Sequence, residues 1–185
     1  MKHILLVPLL LLSTLLIAQK TEQSDSKAVY DAEQKRLAEI IGKPYPAFSV
    51  KTDSGSISND IIRGKKVYIN FWFESCAPCI AEFNALEKMY EKVRDSSNII
   101  FLGLTYETPE KIKAVKKRFG INWPMAQISM SECYRLNMNN GFPTSIILDH
   151  SGMISYIHIG GSTVKDVADE FVRTELYPRL IEKKD

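Results

Sequence analysis

The chain has 185 residues, with 24 lysines and arginines against 22 aspartates and glutamates and a formal charge of +2. That length suits one domain of ordinary size with an apolar core. The near balance of charge excludes a binder of nucleic acid or anionic membrane that works through bulk attraction.

Residues 1–18, "MKHILLVPLLLLSTLLIA", pass from a basic start through an apolar run to a small residue ahead of the polar "QKTEQSDSK". This is the pattern of a secretory signal. The run is shorter than the roughly 20 residues that span a bilayer, which favours cleavage, after Ala18, over a permanent anchor. A retained N-terminus would instead associate the chain with the membrane. No cysteine lies near the junction to carry a lipid. The expected location is the periplasm or cell envelope, where paired cysteines cross-link unless kept reduced.

Residues 19–41 are polar, then weakly helical through "AEQKRLAEII", and are expected to form a lead segment to a domain over residues 42–185. "AFSVKTDSGSIS" carries two strand-like segments around Asp53, Ser54 and Gly55, the composition of a hairpin. "KKVYINFWF" is a β-branched and aromatic run suited to a strand covered on both faces. After it, Ile80, Phe83, Leu86, Met89, Tyr90 and Val93 follow a helical stripe, and "NIIFLGLTY" returns to strand character.

A second helix, "TPEKIKAVKKRF", opens with a capping threonine and Pro109. Its lysines read as the solvated face of an amphipathic helix, since Ile112, Val115 and Phe119 recur at helical spacing. A short extended segment near "NWPMAQI", a helical turn over 131–138, a hairpin of "TSIILD" and "MISYIHIG", and a final helix from about Thr163 complete the order. The chain reads as an α/β domain with a parallel part and an antiparallel edge.

Cys76 and Cys79, in "FWFESCAPCIAEF", stand where the first strand meets the first helix. A zinc site needs about four ligands, and the chain offers beyond this pair only Cys133 and three histidines, one of them inside the signal. Copper needs fewer, and His150 or His158 would have to approach the thiolates through the fold. A purely structural disulfide over so short a loop restrains little chain entropy. Redox chemistry uses every local feature. The strand end exposes Cys76 as nucleophile, the helix N-terminus favours its thiolate, and Cys79 lies one turn on as the resolving thiol. Pro78 is tolerated because the first helical amides lack internal acceptors.

"IGKPYPAFSV", "GKKVYINFWFESCAPC" and "GFPTSIILDHSG" together resemble the thioredoxin superfamily, and more narrowly its exported TlpA/ResA-like members, over residues 42 to about 175. The resemblance implies a thioredoxin-like fold with a central mixed β-sheet flanked by helices. It implies a cis peptide before Pro143, with the backbone of Phe142 pairing with an extended substrate. It also implies that Glu82 is an acid beside the cysteine pair, able to accept the proton of Cys79. Asn70 occupies the place of thioredoxin's buried aspartate, so the proton handler is sought elsewhere. Ser75 stands where a tryptophan often precedes the first cysteine, and Phe142 is bulkier than usual, so the substrate face differs. Cys133 matches no family motif and reads as a buried, inert thiol, with a role in an alternative disulfide as the other reading of a leftover exported cysteine.

The expected activity is a thiol:disulfide oxidoreductase with no cofactor and no metal, acting on the thiols and disulfides of exported proteins. By analogy, Ala77 and Pro78 without the histidine of strong oxidants point to a reductase. Such a reductase draws electrons from a membrane donor, and the resemblance suggests cytochrome c maturation as a task. The rival readings are a disulfide oxidase, a thiol peroxidase, which lacks a Thr-x-x-Cys approach because Phe73 precedes Cys76 by three, and a copper-binding or delivery protein.

Overall fold

A computed structural model describes residues 27–182. The expected signal, residues 1–18, lies outside the described residues. The chain divides after Ile40, and residues 27–40 form helix α1 by themselves. Lys27–Asp31 and Glu33–Arg36 ion pairs at one-turn spacing line this helix.

The second unit opens with a hairpin, β1 (Ser49–Thr52) and β2 (Gly55–Ser58), paired antiparallel with Thr52 opposite Gly55. Gly55 turns the chain with a φ of 126°, which glycine adopts readily. Strand β3 (Lys66–Phe71) is buried on both faces, as its unbroken apolar run requires. Then follow α2 (Ala77–Val93), β4 (Ile99–Thr105), α3 (Pro109–Phe119), β5 (Met125–Gln127), α4 (Met130–Leu136), β6 (Thr144–Leu148) and β7 (Ile154–Ile159). The five-stranded sheet has the order β5-β4-β3-β6-β7. Strands β3, β4 and β5 run parallel, and β6 and β7 pair antiparallel on the other side. This is the mixed sheet flanked by helices that the sequence predicts.

The caps fall where the residues dictate. Thr108 accepts from the Lys111 amide at the start of α3, and Gly120 closes that helix with a φ of 66°. The C-terminal helix departs from expectation. It starts at Lys165 and is interrupted: α5 (Lys165–Phe171), a π-helical turn (Val172–Leu176) and α6 (Tyr177–Ile181). Pro178 brings no amide proton to a regular i→i−4 ladder, and the wider turn lies just ahead of it. Val172, Leu176 and Leu180 still reach the core beside Phe83, Leu86 and Met89 of α2.

One row of residues crosses all five strands in register: Met125, Gly103, Asn70, Ser145 and His158. Directly opposed residues share a face of the sheet, so this row gives β3, β6 and β7 a polar track. Toward β5 the row closes without a side chain. A Cβ on Gly103 would lie 2.9 Å from Met125 Cγ and 3.1 Å from Trp123 Nε1. Gly103→Val is therefore expected to lower stability by about 1–3 kcal/mol through overpacking, read as a lower urea midpoint at unchanged slope. A variant as stable as the native protein would show that Met125 yields freely.

Candidate active site

The β3 ladder ends at Phe71, and the chain turns through residues 72–75 so that the Cys76 amide donates to the Phe73 carbonyl at 3.1 Å. Cys76 caps the N-terminus of α2, and its Sγ accepts from the Cys79 amide at 3.2 Å. The helix N-terminus, with no acidic residue in its first turn, presents partial positive charge to that sulfur. Cys76 and Cys79 form a disulfide with Cα atoms 5.2 Å apart. Glu107 braces the approach: its carboxylate accepts from the Glu74 amide at 3.0 Å, and Lys111 pairs with both Glu74 and Glu107 at 3.0 Å.

The Phe142–Pro143 peptide is cis. A loop anchored by the buried Asn137 and Asn140 precedes it after α4. Asn137 Nδ2 donates to the Asn140 carbonyl at 2.8 Å, its Oδ1 accepts from the Asn140 amide at 3.2 Å, and the Asn140 amide side chain donates back to the Asn137 carbonyl. Met138 and Asn139 between them take left-handed φ of 59° and 57°. Downstream, Thr144 Oγ1 donates to the Gly141 carbonyl, and the Gly160 amide to the Pro143 carbonyl at 2.8 Å.

Gly161 shows how closely the predicted residues converge. A Cβ built there would lie 2.6 Å from Glu82 Oε1, 3.2 Å from Pro143 Cγ and 3.5 Å from Pro78 Cβ. The fold thus gathers the Cys-Ala-Pro-Cys turn, the cis proline and Glu82 around a position with no room for a side chain.

Glu82 follows Cys79 by three residues, which places it on the same side of α2. It is 1% exposed, and its Oε2 has no partner among the described residues. Burial pushes its carboxyl up to about 8. Near it lies Tyr68, raised by burial and by the Glu82 charge, and two residues on along β3 Asn70 is buried on the same face of the sheet. Tyr68 Oη and Ser145 Oγ share a hydrogen bond of 2.8 Å.

Beside the disulfide stands an aromatic platform. Phe73 stacks on Tyr106 with centroids 5.9 Å apart, and Phe142 meets Phe73 edge-on at 5.2 Å, Tyr106 at 6.0 Å and Tyr134 at 6.3 Å. Sequence reasoning singles out Phe142 alone. The other three come from separate segments, and nothing in their spacing joins them. Cys133 is fully buried in α4, and burial pushes its thiol up to about 12. Among the described residues no three His, Cys, Asp or Glu side chains converge as metal ligands, and no helix is long and apolar enough to cross a membrane.

Glu82 ties stability to pH. Its native pKa of about 8 lies above the ordinary 4.5, so between those values the folded protein holds a proton that the unfolded chain has lost. The contribution is whole below the unfolded value and drains as pH rises through about 8, on the order of 4 kcal/mol in all. Glu82→Gln is expected to flatten this slope. Urea midpoints of the oxidised protein from about pH 5 to about pH 9 check it, and a native midpoint that stays level would refute the buried carboxyl's role.

Residues 41–157 match the AhpC/TSA family. The chain is 31% identical over 129 residues to the thioredoxin-like protein YneN of Bacillus subtilis (strain 168), covering 68% of this chain and 75% of that one. It is 28% identical over 134 residues to the thiol-disulfide oxidoreductase ResA of Bacillus thuringiensis subsp. konkukian (strain 97-27), covering 72% and 77%. The crystal structure of a thiol:disulfide interchange protein of the thioredoxin family from Chlorobium tepidum TLS superposes with a TM-score of 0.58 at 27% identity, covering 73% of this chain and 97% of the other. With a disulfide at a helix N-terminus facing a cis proline, these likenesses make the chain a member of the AhpC/TSA family and a thioredoxin-like thiol:disulfide oxidoreductase.

Proposed function

We propose that residues 42–185 form a disulfide reductase for exported proteins, with Cys76 as nucleophile, Cys79 as resolving thiol and Glu82 as the base that takes the Cys79 proton. The observation that carries this reading is a buried carboxyl with an unpartnered oxygen, one helical turn from the cysteine pair. In the reduced protein the Cys76 thiolate attacks a partner disulfide, forms the mixed disulfide and expels one partner thiolate. Cys79 then yields its proton to Glu82 and attacks Cys76 Sγ, expelling the second thiolate. Two electrons pass to the partner, its thiolates take up protons, and the Cys76–Cys79 disulfide returns. A membrane dithiol donor restores the reduced pair.

Phe142 and Pro143 bind the substrate in this scheme. Proline offers no amide, and the cis bond turns the backbone of Phe142 toward the sulfurs, where an extended chain pairs with it. The aromatic platform supplies apolar contact to residues flanking the substrate cysteine. The resemblance to TlpA/ResA-like proteins supports cytochrome c maturation as the task. The N-terminal signal supports the periplasm or cell envelope as the place, with membrane association if the signal is retained.

The direction is tested by equilibrating the mature protein with glutathione buffers. A potential near thioredoxin's, about −270 mV, supports the reductase, and one near about −120 mV makes the protein an oxidase. Cys76→Ser is expected to abolish turnover of a protein disulfide. Peroxide consumption faster than a free thiol's would favour a peroxidase, and stoichiometric copper after purification would favour a carrier. Phe142→Ala is expected to raise KM for a polypeptide disulfide roughly ten-fold, the loss of one aromatic anchor, while leaving a small aliphatic disulfide nearly unaffected. Equal effects on both would remove Phe142 from substrate binding.

A further inference from the structure

Glu82 is 1% exposed, yet a base that works once per turnover must return its proton to solvent. The disulfide does not offer that path, because Cys76 and Cys79 are themselves 4% and 1% exposed. A cavity reaches the carboxyl. Its volume is about 250 Å³, and it is lined by Glu82, His158, Gly161, Ala168 and Phe171, among others. It has room for water, which needs polar partners as well as space, and here the polar side chains on the wall are Glu82, His158 and Ser162.

His158 is the β7 member of the polar row that crosses the sheet, directly opposite Ser145. It is half-buried, with its ring against Phe171 at 4.3 Å. Burial lowers its pKa, opposed by Glu175 and the backbone of Gly160, which keeps the ring neutral and able to accept a proton. The charged and titratable groups facing this region are few. Glu82 comes from α2, Tyr68 from β3 beside it, and Glu175 from the π-helical turn, while α5 lines the cavity with Val167, Ala168 and Phe171.

We propose that this cavity is the proton exit of Glu82, and that His158 relays the proton between the buried carboxyl and bulk solvent. In the forward step the Cys79 Sγ–H bond breaks and an O–H bond forms on Glu82. The carboxyl then releases that proton through cavity water to a ring nitrogen of His158, which passes it to bulk water, and both groups end as they began. No electron moves in the relay. The inference rests on the reading of Glu82 as the base. His158 acts through Glu82 and touches no reacting sulfur, so it is a relay and positioning residue.

The experiment is a stopped-flow mixing of the reduced full chain with 5,5′-dithiobis(2-nitrobenzoate). Attack by Cys76 releases a first thionitrobenzoate. Attack by Cys79 releases a second in a phase independent of reagent concentration, and this phase is read. His158→Phe keeps a ring against Phe171 and removes both nitrogens. At neutral pH in dilute buffer it is expected to slow the second phase roughly ten-fold, at the lower end of what proton-transfer groups contribute. Added imidazole is expected to restore the rate, and the first phase to stay unchanged. His158→Gln, polar but not titratable, serves should the phenylalanine variant not fold. An unslowed second phase, or a slowed one that imidazole leaves alone, overturns the relay. Glu82→Gln run in parallel separates the two readings. If it slows the second phase in every buffer while His158→Phe does not, only the relay falls. If it is as fast as the native protein, the base assignment falls and the relay with it.

Discussion

A carboxyl group enclosed in the interior, with one oxygen unpartnered, is the constraint around which the site is arranged. Left charged there, it would cost several kcal/mol in lost hydration, so its pKa rises to about 8, near neutral pH, where both the protonated form and the proton-accepting carboxylate are populated. The helix that carries it cannot relieve the strain by turning, because the same helix presents Cys76 at its N-terminus and packs Phe83 and Leu86 into the core. Gly161 sits against Glu82 Oε1, the Pro143 ring and Pro78. A methyl group there would push the carboxyl aside and press on the Pro143 ring, so the placing of Glu82 depends on one missing side chain.

The sequence makes the scaffold legible where a periodicity carries it. The β3 run, the helical stripe after Cys79 and the Thr108–Pro109 start of α3 each follow from local residues, and the family resemblance adds the cis proline. What stays hidden is long-range. Phe73, Tyr106, Tyr134 and Phe142 meet only because β3, β4, α4 and the cis loop end at one edge. The Asn137–Asn140 bracket is two polar residues in a loop until burial makes their mutual bonds obligatory. Gly161 looks like any residue of a Gly-Gly turn, since its significance is steric and comes from partners 18 and 79 positions away.

Asn70 illustrates how one replacement shifts a whole function within the fold. An amide in place of thioredoxin's aspartate cannot take a proton, and in the proposed scheme the titratable group moves from the strand to Glu82 on the helix. The sheet answers with neutral polar groups. Tyr68, Asn70 and Ser145 lie on the face toward α2, and the hydroxyls of Tyr68 and Ser145 bond each other. None of them bears a formal charge at neutral pH, so none holds Glu82 ionised. A lysine or arginine in this row would pull the carboxyl down to the ordinary range and leave it a poor acceptor for a thiol proton.

The two sulfurs consequently answer to different fields. Cys76 caps α2 and its sulfur accepts a hydrogen bond from the Cys79 amide, so the helix N-terminus favours its thiolate in the reduced pair whatever the state of Glu82. Cys79 is deeper and one turn from the carboxyl. In the proposed scheme a charged Glu82 holds the Cys79 proton in place, and the repulsion disappears when Glu82 takes that proton as the thiolate forms. On that reading, Cys79 stays a thiol while Cys76 meets a partner and becomes a nucleophile once the mixed disulfide exists. The order of the two attacks then follows from the helix N-terminus at Cys76 and from the position of one acid on the helix the two cysteines share.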